Sequence, residues 1–204
     1  MKNMKLYGGK SRLFPELIDI GGVNFAVNAD FRNILRIFAM LRDNNISDVK
    51  KIIKLREWFF ASDDFLNSAL NSDKIVKAFG EFVNPDNNGE TSYVGERRFC
   101  YDFDAEEIYA GFLSEYNIDL VECGFMHWYK FKIMLANLTE ASAFKKKIAL
   151  RFLDLNGISR ESSGFSQIVD AYWAVQLPGE YSEYDDEFEK YWERAGADSI
   201  SALE

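Results

Sequence analysis

The chain has 204 residues, 48% apolar and 16% aromatic, enough to build a core and too much for a disordered or low-complexity protein. Its net charge of −9 is uneven: residues 179–204 hold nine acidic side chains against Lys190 and Arg194, a balance of −7, leaving −2 for the preceding 178 residues. A nearly neutral body with an acidic end argues against nonspecific nucleic-acid binding, which needs clustered Lys and Arg to release counterions from phosphates.

Met1 to Leu17 carries Lys2, Lys5, Lys10 and Arg12 without an apolar core of a signal sequence, and no later stretch reaches the ~18 apolar residues of a membrane span. Cys100 and Cys123 are too few for a disulfide framework, so a reducing compartment and no membrane partner are expected. Leu17-Ile18-Asp19-Ile20 and Val23-Asn24-Phe25-Ala26-Val27 flank Gly21-Gly22, which predicts a short β-hairpin. Asp30 then caps a helix with the stripe Phe31, Ile34, Leu35, Phe38 and Leu41, and Ser47 caps another with Val49, Ile52, Ile53, Phe59 and Phe60. From Ser62 to Phe82 the pattern is broken, with Phe65, Leu66, Ala69 and Leu70 separated from Ile75, Val76 and Phe79 by the capping triplet Asn71-Ser72-Asp73. One bent helix or two short ones fit it.

A polar loop occupies 84–98, and Arg98 to Phe103 reads as extended. Asp104 with Glu107 forms a capping box before a helix bearing Ile108 and Phe112, and Asp119 with Glu122 repeats the arrangement. The second box opens a helix expected over Val121 to Leu138, apolar around most of its circumference: Gly124, Trp128, Phe131, Leu135 and Leu138 form one stripe, while Val121, Phe125, Tyr129 and Ile133 cover adjacent angles. Such a helix is the expected spine, and Ile108, Phe112, Trp128, Phe131 and Leu135 are the expected core. Thr139 starts a further helix with Phe144, Ile148 and Phe152 on one side and Lys145, Lys146, Lys147 and Arg151 on the other; Ser162 or Ser163 starts one more, ended by Leu177-Pro178-Gly179. Beyond it Tyr184, Phe188, Tyr191 and Trp192 form a narrow aromatic stripe on an acidic helix. The expected fold is mainly α, a helical bundle with a small N-terminal β-hairpin: a helical domain over 1–178 and an acidic C-terminal helix or tail over 179–204.

No pattern in the chain makes a good catalytic site. His127 is the only histidine, one turn after Cys123, but zinc needs two further ligands and no second pair exists. Asn84, Asp86, Asn88 and Gly89 imitate half of a calcium loop, whose last position is then Gly95 rather than a bidentate Glu. Asp102 and Asp104 make an Asp-x-Asp pair without the glycine-rich loop or strand–helix alternation of a nucleotide site. Neither a catalytic residue, a metal nor a cofactor is therefore assigned. Lys145, Lys146, Lys147 and Arg151 read as a solvated helix face or, functionally, as the acceptor for the acidic helix carrying Tyr184, Phe188, Tyr191 and Trp192, in the same chain or a neighbouring copy.

Four segments, namely Tyr101-Asp102, Ile108-Tyr109-Ala110-Gly111-Phe112, Ile118-Asp119-Leu120 and His127-Trp128-Tyr129-Lys130-Phe131, with Asn28-Ala29-Asp30-Phe31-Arg32 more weakly, resemble the core of the phage gene-product-fifteen family. Its members are tailed-phage proteins encoded just upstream of the tape-measure protein and regarded as tail assembly chaperones. Gly111 stands where the family usually has a second Ala, Asn117 where it has Gly, and Tyr129 where it has a second Trp. The resemblance implies a non-enzymatic protein of the infected bacterium's cytoplasm, with the tape-measure protein as partner and the major tail protein and further copies of itself as additional ones. A minor structural tail protein of the virion is the alternative with the same composition.

Overall fold

A computed structural model describes residues 14–61, 72–84, 99–159 and 164–178. The protein is mainly α, with seven α-helices and one two-stranded antiparallel hairpin among the described residues. These residues form two compact units: the first comprises those up to 84 together with Phe125–Lys132, the second 99–124 and those from Ile133 onward.

The first unit opens on the hairpin, β1 (Leu17–Ile20) and β2 (Val23–Ala26), in register Leu17↔Ala26 to Ile20↔Val23. Gly21 and Gly22 take φ of 67° and 88°, the left-handed values that a two-residue turn demands and a side chain resists. Past β2, Val27 bridges to Phe60, with Asn28 N–H donating to the Phe59 carbonyl (2.7 Å) and Ala61 N–H to that of Ala26 (2.9 Å). Three helices pack behind: α1 (Phe31–Arg42), α2 (Asp48–Phe59) and α3 (Ser72–Val83). Asp30 caps α1 as its sequence position predicts, accepting the Arg32 N–H at 2.9 Å. The stripes are shifted from expectation. α1 buries Phe31, Ile34, Ile37 and Met40, while α2 buries Leu55 and Phe59 and leaves Val49 70% exposed, because long-range packing of Phe59 against Phe79 and Phe82 sets the helix's rotation.

The predicted spine helix is shorter than expected. α5 spans only Trp128–Ala136, contributing Trp128–Lys132 to this unit and its remainder to the other. The Asp119 carboxylate binds the N–H groups of Val121 (2.8 Å) and Glu122 (3.1 Å), but the turn it makes closes after one bond, from Cys123 N–H to the Asp119 carbonyl. The chain then extends to pair with the start of α1: Phe31 N–H donates to the Met126 carbonyl (2.9 Å) and Trp128 N–H to that of Ala29 (2.7 Å). A backbone committed to that bridge is not free to be helical. Trp128 and Phe131 stack at 5.8 Å, Phe131 stacks on Phe31 at 4.6 Å, and the indole N–H of Trp128 donates to the Val83 carbonyl. Tyr129, which departs from the family pattern, donates its hydroxyl to the Phe82 carbonyl at 2.7 Å.

The second unit contains α4 (Ala105–Tyr116), α6 (Ala143–Arg151), a short 3-10 turn (Leu155–Gly157) and α7 (Phe165–Val175). Residues 101–104 form a turn rather than the expected extended segment, closed by the Asp104 N–H on the Cys100 carbonyl at 2.9 Å. α4 ends on Asn117 with φ 51° and ψ 39°, the left-handed conformation that Asn tolerates and a Gly would supply. Gly111 faces Leu138, whose Cδ1 would lie 2.9 Å from an added Cβ, so an Ala there would require the Leu138 side chain to shift. Thr139 does not start a helix. Its N–H and hydroxyl are taken by Glu115 (2.9 and 2.8 Å), and Ser142 caps α6 instead, accepting the Lys145 N–H at 3.2 Å.

Candidate functional site

The expected core residues Ile108, Phe112, Trp128, Phe131 and Leu135 all lie in the interior. His127 is buried as well. The Tyr129 N–H donates to its Nδ1 at 3.0 Å, so a neutral ring carries its proton on Nε2, which donates to the Pro15 carbonyl at 3.0 Å. The imidazole thus caps α5 with one nitrogen and a neighbouring carbonyl with the other, leaving no lone pair for a metal. The Cys123 thiol is directed at the Leu120 carbonyl (3.6 Å). Among the described residues no three His, Cys, Asp or Glu side chains group as metal ligands, and no helix is long and apolar enough to cross a membrane. Asp86, Asn88 and Gly89 lie outside the described residues, as do Tyr184, Phe188, Tyr191 and Trp192.

The basic cluster is not one face. Lys147 and Arg151 turn inward onto the start of α4, and Arg151 is only 5% exposed. Arg151 holds both oxygens of Asp104, while Lys147 reaches Asp104 at 3.1 Å and Glu107 at 2.8 Å. Asp104 also accepts the Cys100 N–H at 2.9 Å. With both oxygens engaged by these partners, Asp104 makes no side-chain cap on α4, and Glu107 pairs with Lys147 instead of completing the expected box. Burial pushes the Asp104 carboxyl up, but Arg151, the Cys100 N–H and Lys147 together hold it below the usual carboxylate range. For Lys147 burial opposes the charge, and its bonds to Glu107 and Asp104 outweigh it and raise the ammonium's pKa. Lys147 and Arg151 are therefore structural cations of the second unit, and the expectation that they present an acceptor surface is corrected.

The first unit carries a surface cleft of about 620 Å³. The Val27–Phe60 bridge floors it, and the Asn33 amide joins α1 to the end of α2 by donating to the Asn28 (3.2 Å) and Trp58 (2.8 Å) carbonyls. One turn along α1, the Arg36 guanidinium lies 3.6 Å from the centre of the Trp58 ring, and the Lys54 ammonium stands 4.9 Å from it. Phe125 is 57% exposed and closes one side. The lining mixes Trp58, Phe125 and the small exposed edges of Val27 and Phe60 with Glu16, Asn28, Asn33, Arg36 and Glu57, a surface suited to an amphipathic segment.

Sequence reasoning passed over Arg36 and Trp58 and placed Phe125 on the spine helix. The spacing of Lys54 and Trp58 by one helical turn carried some signal, but the Arg36–Trp58 stack joins two helices and has no local signature.

The family model described as Bacteriophage Gp15 protein matches residues 11–170. Neither a curated protein nor a solved structure matches the chain. With most of its length matched, including the helix α4, the left-handed Asn117 and the His127-capped α5, the chain belongs to the bacteriophage Gp15 protein family.

Proposed function

We infer that this protein is a tail assembly chaperone, which binds the tape-measure protein in the cytoplasm of the infected bacterium before the tail tube polymerises. The family membership supports a phage role, and the observation that carries the finer reading is the mixed cleft of the first unit, in which Trp58 and Phe125 stand open among polar side chains. A tape-measure protein is long, largely helical and prone to aggregate, so its protector must offer apolar grooves that bind weakly and yield to tube subunits. Such a groove needs rigid walls and no reacting groups. The Asn33 clamp and the Val27–Phe60 bridge provide the rigidity.

Coexpression with the tape-measure protein tests the reading. The client is expected to become soluble and to copurify, and Trp58→Ala combined with Phe125→Ser should abolish copurification without unfolding the chaperone. A client that stays insoluble, or a protein found stoichiometrically in purified virions, would overturn it, the latter in favour of a minor structural tail component.

A further inference from the structure

We propose that His127 is the positioning residue of this cleft: its imidazole ties the Pro15 carbonyl to the start of α5 and so holds the rims that carry Glu16 and Phe125 in one arrangement. The purpose of the cleft rests on the chaperone reading, while the positioning rests on geometry alone. The Tyr129 N–H donates to Nδ1 and Nε2 donates to the Pro15 carbonyl, each at 3.0 Å. One ring therefore works as an acceptor on one edge and a donor on the other. A helix cap by itself asks only for an acceptor, which Ser, Thr, Asp or Asn supplies with less bulk. The further demand for a donor, held apart from that acceptor by a rigid ring, is what selects imidazole.

Each of the two bonds acts on residues that line the cleft. Pro15 precedes Glu16, whose carbonyl accepts the Val27 N–H at 2.9 Å, so the strap held by Nε2 runs directly into the cleft floor. On the other side Phe125 precedes the extended stretch that pairs with the start of α1. There Asp30 faces His127, the Met126 carbonyl accepts the Phe31 N–H, and the Trp128 N–H donates to the Ala29 carbonyl. The imidazole also packs between the Phe14 ring, at 5.3 Å, and the Phe125 ring, edge-to-face at 6.4 Å. Glu16, Val27, Ala29 and Phe125 come from three separate segments, and this one side chain sets them relative to one another. A groove that must hold its client weakly gains from a preset shape, because ordering a loose rim at the moment of binding would weaken the affinity further.

Two conservative variants of the full chain separate the bonds, read by site-resolved amide hydrogen exchange. His127→Asn keeps an acceptor for the Tyr129 N–H and loses the Pro15 bond; His127→Gln keeps a donor toward Pro15 and loses the cap. In the Asn variant the Val27 amide should exchange about three- to ten-fold faster with Tyr129 unchanged, and in the Gln variant the reverse, the size of one hydrogen bond. In coexpression with the tape-measure protein the Gln variant should keep its client, whereas recovery with the Asn variant should fall about five-fold. In the wild-type chain the nitrogen-15 spectrum of the only histidine should show a single tautomer protonated at Nε2, with that proton slow to exchange. An Nδ1–H tautomer, a freely exchanging Nε2 proton, equal acceleration of both amides in both variants, or full client recovery with the Asn variant would each overturn the proposal. A wild-type chain that takes up no client ends the chaperone reading alone, and the exchange pattern then decides the positioning.

Discussion

Arg151 and Asp104 meet as a two-pronged ion pair, Nη2 to Oδ1 at 2.9 Å and Nη1 to Oδ2 at 3.1 Å, with both side chains buried. The third guanidinium edge is also used, since Nε donates to the Val175 carbonyl at 2.7 Å. One side chain thereby joins the start of α4, the end of α6 and the end of α7. Replacing Arg151 by Ala strands a buried carboxylate and should cost ~3–5 kcal/mol, read from chemical denaturation. A loss under ~1 kcal/mol would mean that Lys147 alone satisfies Asp104.

The same pair fixes a pH dependence. The Asp104 carboxyl is held below its ordinary 3.8, so its contribution is fully present above that value and is lost as pH falls through the lower folded one. Asp30, where burial is outweighed by Arg32 and the Met126 N–H, and Asp119, bound by the N–H groups of Glu122 and Val121, are shifted the same way. Stability should therefore decline below about pH 4. In Arg151→Ala burial dominates at Asp104 and raises its pKa, so the deficit against wild type should narrow as pH falls from neutral toward 4. Melting curves over that range check the sign, and a constant deficit would be the contrary result.

Trp128 is 2% exposed and sits between Phe38 and Phe131. Trp128→Ala should cost ~3–5 kcal/mol by leaving a large cavity. A variant that melts like wild type but fails to bind a client would make Trp128 an interface residue instead.

Asn117 ends α4 with φ 51°. Asn117→Gly should be nearly neutral, whereas Asn117→Val should cost ~1–2 kcal/mol, because a branched side chain resists the left-handed conformation. Equal stabilities for the two would show that the helix end rearranges.

A client docked through aromatic surface should remain bound in about 0.5 M salt, where the screening length is only ~4 Å. Copurification repeated in that salt checks this, and loss of the client would point to charge as its main attachment.

The sequence by itself determined the mainly α class, the Gly21-Gly22 hairpin and the Asp30 cap, because each rests on the conformational preference of residues acting locally. It did not determine where α5 begins, since Asp119 and Glu122 look like a helix start and only pairing of Met126–Trp128 with the residues around Asp30 forces that stretch to extend. Nor did it separate a cap from a core ion pair at Asp104: the first-turn N–H groups are always nearby in sequence, but Arg151 and Lys147 arrive only through packing, and a buried carboxylate needs them more. The cleft was hidden for the same reason. Arg36, Trp58 and Phe125 come from three separate segments, and only the tertiary structure, by stacking α1 on α2 beside the Val27–Phe60 bridge, makes one surface of them.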